Sequence, residues 1–184
     1  MAVGAYGIAN RLGFLFFMIV MGINQGMQPI AGYNYGAQQL DRMLRVLKLS
    51  MTAATVVMVV GWLVGELIPW QCARLFTSDP ELLENSVRGI RINMIAFPLI
   101  GSQAVITNFF QSIGKAKISI FLSLSRQMIF LLPLLIALPP LMGVDGVWTA
   151  MPASDTIAFV VTWIVMIRYM RKFKQQHKEL SYGR

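Results

Sequence analysis

Along this chain the charged residues cluster, leaving long uncharged apolar runs at 12–40, 49–65, 92–114 and 127–144. Each approaches the roughly 20 residues that cross about 30 Å of hydrocarbon. Over such a length in lipid, a helix is the single-segment structure that pairs its own backbone polar groups. The pattern therefore predicts an all-α integral membrane protein with five spans, at about 8–33, 47–70, 90–113, 118–141 and 146–170. The boundary signals agree. Gly32 and Gly36, followed by Asp41 and Arg42, close the first span. Asp79 and Pro80 interrupt the chain before the third, and Gly114 with Lys115 and Lys117 ends it. Pro139, Pro140, Gly143, Asp145 and Gly146 form the last turn. The stretch 73–88 is too polar to span, but Leu75, Phe76, Leu82, Leu83 and Val87 give it an apolar stripe. A short helix on the outer membrane surface and a connecting loop both fit it.

Composition supports lipid as the solvent: 56% of residues are hydrophobic and 13% charged, with a mean hydropathy of +0.61, whereas soluble domains carry about a quarter charged residues. The net charge of +8 does not point to nucleic acid, because the basic residues sit between and after the apolar runs. The single Cys72 excludes an internal disulfide framework, and the lone His177 excludes a His-rich metal site. The first run is too long for a signal-peptide core and further spans follow it, so no cleaved targeting segment is expected.

Lys and Arg are retained on the cytoplasmic side of short loops. Arg42, Arg45, Lys48, Lys115, Lys117, Arg168, Arg171, Lys172, Lys174, Lys178 and Arg184 fall on one side of the five-span arrangement, against Arg74, Arg88 and Arg91 on the other. This predicts a transmembrane lobe over 1–171 and a basic cytoplasmic tail over 172–184, with the amino terminus outside. Trp70 and Trp148 fall near the outer boundaries, where interfacial aromatics concentrate.

Polar side chains inside the spans are the candidates for function, because such groups are expensive in lipid unless they face protein or water. In the first span Asn24, Gln25 and Gln28 precede Pro29, a pattern that suits a cavity wall near a kink and equally suits interhelical hydrogen bonding. In the third, Gln103, Thr107 and Gln111 recur at four-residue intervals with Asn108 alongside. In the fourth, Ser119, Ser123 and Gln127 repeat that spacing beside Arg126. In the fifth, Asp155 follows Pro152, with Trp148 and Thr162 seven residues to either side. Asp155 is the carboxylate placed well inside a span, and two readings stand: a charged pathway residue, or an ion pair with Arg126 or Arg11 that stabilises the bundle. Gly22/Gly26, Gly32/Gly36 and Gly61/Gly65 permit close helix crossings.

The stretch 22–37, GINQGMQPIAGYNYGA, resembles the signature of the multidrug and toxic compound extrusion (MATE) transporters, in which a Gly/Gln-rich helix runs into a cytoplasmic Tyr-Asn-Tyr-Gly-Ala turn. Leu75-Phe76-Thr77 with Asp79, the segment 108–116 and the segment 143–148 fit the same family in order. The resemblance implies the carboxyl-terminal half of a two-lobe, twelve-helix transporter, about its eighth to twelfth helices, with an amino-terminal lobe as expected partner. It also implies export of cationic or amphipathic small molecules in exchange for Na⁺ or H⁺ across the plasma (inner) membrane, without an organic cofactor. The carboxylates that family members use for coupling have no counterpart in the third span after Glu84. Asp155 is thus a candidate from its own surroundings, beside the cavity candidates Asn24, Gln25, Gln28, Gln103, Asn108, Gln111 and Arg126. A lipid-linked oligosaccharide flippase of the same superfamily and a non-transporting membrane scaffold are the competing functions. No His/Cys/acid cluster, nucleophile elbow or phosphate-binding loop points to an enzyme.

Overall fold

The computed structural model describes residues 2–182. Its elements run α1 (Ala2–Gly36), α2 (Leu40–Leu67), α3 (Pro69–Arg74), α4 (Pro80–Met94), α5 (Phe97–Ser112), α6 (Ala116–Leu124), a π-helix (Ser125–Leu131), α7 (Leu132–Ala137), α8 (Pro139–Met142) and α9 (Val144–Tyr182), with no strand among the described residues. Gly4–Gly36, Leu40–Leu67, Ala116–Met142 and Asp145–Phe173 are each long and apolar enough to cross a membrane. The pair α4 and α5, bent by 50°, makes a fifth crossing.

The helices alternate in direction. Leu82 lies beside Gly4 at one end of the bundle, while at the other the Tyr35 ring meets Phe173 edge to face and Ser112 backs onto Gly32. The core lies where α1 meets α2, α4 and α5, around Met27, Met43, Met58, Ile90 and Phe109, all fully buried. Large apolar residues such as Leu15, Val56, Ile120 and Ile164 face outward, as a surface solvated by lipid requires. The backbones of α2 and α5 approach closely: a Cβ on Gly101 would lie 2.7 Å from the Ala54 carbonyl oxygen. Among the glycine pairs, Gly61 packs on the Phe16 ring and Gly65 on Met94, while Gly22, Gly26 and Gly36 have open space beside them.

Several bounds differ from those read off the sequence. The second helix stops at Leu67 rather than near 70, because Pro69 starts α3 and brings no N–H to continue the ladder. The stretch 73–88 is neither a surface helix nor simply a loop. Asp79 caps α4 by accepting from the Glu81 and Leu82 amides at 3.0 and 3.4 Å, with Pro80 at the first position. Leu83, Ser86, Gly89 and Ile90 then turn inward. The third crossing therefore begins ten residues earlier than the bound of 90 read from the sequence, its charged Glu81, Glu84, Arg88 and Arg91 kept on the exposed side. It breaks at Ile95 and Ala96 because Pro98 cannot donate to the preceding turn. From 172 to 182 the chain stays helical, and Phe173 is buried against Tyr35, Phe109 and Tyr169. Arg184 and the side chains of Lys174, His177 and Lys178 lie outside the described residues.

Candidate functional site

Where two helices lose their regular ladder, a half-open cavity of about 290 Å³ lies between α1, α4, α5, the π-helix and α9. One irregularity is the break between α4 and α5. The other is the π-helix: the Leu132 amide bonds back five residues to the Gln127 carbonyl. Pro133 explains this widening, since its ring crowds the carbonyl four residues back and supplies no N–H. Into the cavity come Asn10 and Phe17 from α1, Asn93 from α4, Arg126 from the π-helix, and Ser154 and Asp155 from α9.

The arrangement centres on an ion pair. The Arg126 Nε donates to Asp155 Oδ1 at 2.6 Å. Asp155 lies eleven residues into α9, about 16 Å along its axis at 1.5 Å per residue, so the pair is held deep within the crossing. Pro152 one turn earlier removes a ladder donor, and the hydroxyls of Ser154 and Thr156 turn back onto the Met151 and Pro152 carbonyls. Those hydroxyls are thereby occupied locally, and Arg126 is the partner that balances the carboxylate. Arg11 is exposed, so of the two pairings open to Asp155 the structure makes the one with Arg126. Trp148 and Thr162 are buried on the same face of α9.

The amide candidates are dispersed differently. Gln28 Nε2 donates to Asn108 Oδ1 at 3.1 Å, linking α1 to α5, and Asn108 Nδ2 donates to the Ala104 carbonyl. Asn24 and Gln103 are buried at 1% and 4% exposure, and both side-chain polar atoms of Asn24 and the Oε1 of Gln103 lack a partner among the described residues. Gln25 and Gln111 point outward. The link between Gln28 and Asn108, with the ring contact between Phe110 and Tyr169, sets the heights of α1, α5 and α9. One to two turns back from these contacts, Asn24, Gln103 and Thr162 share one layer, and the Thr162 hydroxyl is also unpartnered. None of these amides lines the cavity that holds Arg126 and Asp155.

Asn10 and Asn93 are cavity residues that the sequence pattern did not single out. Asn93 carried a usable signal, five residues ahead of Pro98 in an apolar run. Asn10 sits beside Arg11 near the start of α1 and could be recognised only once α1 was seen against α9.

A long bent crossing, a π-widened helix and a buried Arg–Asp pair within a five-span bundle define a multi-pass membrane protein of transporter type. The MatE family matches residues 1–136, and the chain belongs to that family, whose members are transporters rather than enzymes. Among curated relatives, the multidrug export protein MepA of Staphylococcus haemolyticus is 26% identical over 165 residues, covering 89% of this chain and 36% of MepA. MepA of Staphylococcus aureus is 27% identical over 167 residues, covering 90% and 37%. Among solved structures, the MATE multidrug transporter DinF-BH superposes with a TM-score of 0.82 at 39% identity, covering 89% of this chain and 36% of that one. The Vibrio cholerae MATE transporter VcmN in its bent form gives 0.84 at 19% identity, covering 95% and 40%, a likeness of fold. The chain thus spans a little over a third of the length of the relatives it matches.

Proposed function

We propose that this chain is the five-helix part of one lobe of a secondary multidrug efflux antiporter. It would export cationic or amphipathic compounds in exchange for Na⁺ or H⁺, together with an amino-terminal lobe. The observation that carries the reading is the polar cavity at the α4/α5 break, where Asp155 and Arg126 meet inside apolar surroundings. Secondary transporters place their sites near the midplane at discontinuous helices, whose freed backbone groups and few polar side chains hold substrate or ion. In this role Asp155 supplies the negative charge that a cation shares, and Arg126 holds that charge when no cation is present. Asn10, Asn93 and Ser154 offer neutral oxygens around it. Of the amides, the outward-pointing Gln25 and Gln111 would face a pathway shared with the second lobe, while Asn24 and Gln103 are buried within this one and Gln28 bonds Asn108. The excess of Lys and Arg at the end of the bundle that carries Lys48, Lys115 and Arg171 supports a cytoplasmic carboxyl terminus in the inner membrane.

The test is ethidium efflux from cells lacking their own pumps, with the chain expressed at confirmed membrane levels, alone and with an amino-terminal lobe from a family member. Efflux that collapses with one imposed cation gradient supports the reading and identifies the coupling ion. If efflux is absent in both cases and Cys placed at 93 or 155 is inert to aqueous thiol reagents, the cavity is dry and the lobe acts as a scaffold.

A further inference from the structure

On the opposite side of α5 from the ion pair, a groove of about 930 Å³ runs between α2, α5 and α9. Its wall is apolar, built by residues such as Met51, Val56, Val60, Phe159 and Met166. The polar residues of the wall do not change this. The Thr52 hydroxyl bonds to the Lys48 carbonyl at 3.0 Å and the Ser102 hydroxyl to the Leu99 carbonyl at 3.2 Å, each on its own helix. Charge enters at one end alone, where Arg45 and Lys48 line the mouth. Three residues apart, they share one face of α2, and both are exposed.

We propose that this groove is a binding site for an anionic phospholipid, its acyl chain lying along the groove and its phosphate held between Arg45 and Lys48. The dimensions suit such a ligand. From Arg45 to Val60 the wall rises about 22 Å at 1.5 Å per residue, which exceeds the depth of one leaflet, half of a hydrocarbon core about 30 Å thick. An apolar tail therefore finds wall along its whole length while the headgroup remains at the interface. Basic pockets between membrane helices on the cation-rich side recognise anionic headgroups by this geometry. Along the apolar wall the Trp163 Nε1 is a buried donor without a partner among the described residues, so a ligand rich in polar groups is poorly matched while an acyl chain is not. The site lies apart from the Arg126–Asp155 cavity and does not depend on the transport reading.

Trp163 lines the groove and serves as its reporter. The full chain is reconstituted in phosphatidylcholine nanodiscs into which dibrominated phosphatidylglycerol or dibrominated phosphatidylcholine is titrated. Quenching at Trp163 is read as the difference between the wild-type chain and Trp163→Phe. Phosphatidylglycerol is expected to quench at a mole fraction roughly twenty-five-fold below phosphatidylcholine, about fivefold from each cation. The R45A/K48A double variant should bring the two lipids level, and R45K/K48R, which keeps both charges, should retain the preference. Equal quenching by both lipids in the wild type overturns the proposal in favour of an unselective lipid-facing groove. A preference that survives R45A/K48A overturns it as well. Absence of quenching by either lipid overturns it in favour of a groove covered by polypeptide, a further helix or a second copy.

Discussion

Two arginine–aspartate pairs in this protein have the same length and opposite circumstances. Arg126 meets Asp155 at 2.6 Å inside the bundle, with side-chain exposures of 36% and 10%, and Arg88 meets Asp145 at 2.6 Å at its rim, with exposures of 62% and 38%. Distance alone therefore says nothing about what each pair does. At the rim, water screens the attraction and either partner can be solvated, so the pair contributes a median of about 0–1 kcal/mol. Inside, the Asp155 carboxylate is largely cut off from water and needs Arg126, which is itself partly exposed. The lesson is that the interior pair is held by the penalty of separating it, which is also what would let a competing cation change its state.

That contrast can be broken by removing one partner at a time. Arg126→Ala leaves Asp155 buried without a counter-charge and is expected to destabilise the lobe by roughly 3–5 kcal/mol, read as a lowered unfolding midpoint in detergent. Asp155→Asn should do less, because Arg126 is partly exposed and can turn toward solvent. A small effect of Arg126→Ala would mean that water already reaches the pair.

The second prediction separates stability from function. Replacing the pair together, Arg126→Met with Asp155→Leu, is expected to be neutral or stabilising by about 1–4 kcal/mol, as buried pairs replaced by apolar residues often are. Efflux by the assembled transporter should be lost. Retained efflux would reduce the pair to a packing element.

A third pair of variants extends the comparison to the uncharged layer. Gln28→Leu removes a made interhelical bond and should destabilise by about 0.6–2 kcal/mol. Asn24→Leu removes two buried atoms that have no partner among the described residues, and should be neutral or mildly stabilising, by up to about 1 kcal/mol. If both variants destabilise alike, Asn24 is satisfied by water in the membrane. The smallest effect belongs to the rim: Arg88→Ala should shift stability by less than about 1 kcal/mol, and the shift should vanish in high salt.

Much of the fold was legible along the chain because apolar length is a local property. Five crossings, the Gly114 and Gly143 turns and the kink-prone positions of Pro98 and Pro152 could each be read within a short window. The start of the third crossing was less legible. Glu81, Glu84 and Arg88 made 73–88 look superficial, and only packing against α1 showed that Leu83, Ser86 and Ile90 form a buried stripe beneath them. The candidate site was legible in its parts, since Arg126 and Asp155 stand out as charges in apolar runs. The neighbours Asn10 and Asn93 were hidden among ordinary helix residues.

By itself, then, the sequence determined the solvent and the number of crossings, since each follows from hydrophobicity within about twenty residues; proline chemistry marked places where helix can break, but Pro29 and Pro152 lie inside unbroken helices. Tertiary structure alone decided that Asp155 pairs with Arg126 and not Arg11, that Asn24 is buried while Gln25 faces out, and that α4 lies inside the bundle. The physical reason is azimuth. One extra residue in the π-helix or a 50° bend at Ile95 and Ala96 rotates everything beyond it, so which side chains meet across helices depends on irregularities that spacing along a single helix does not record.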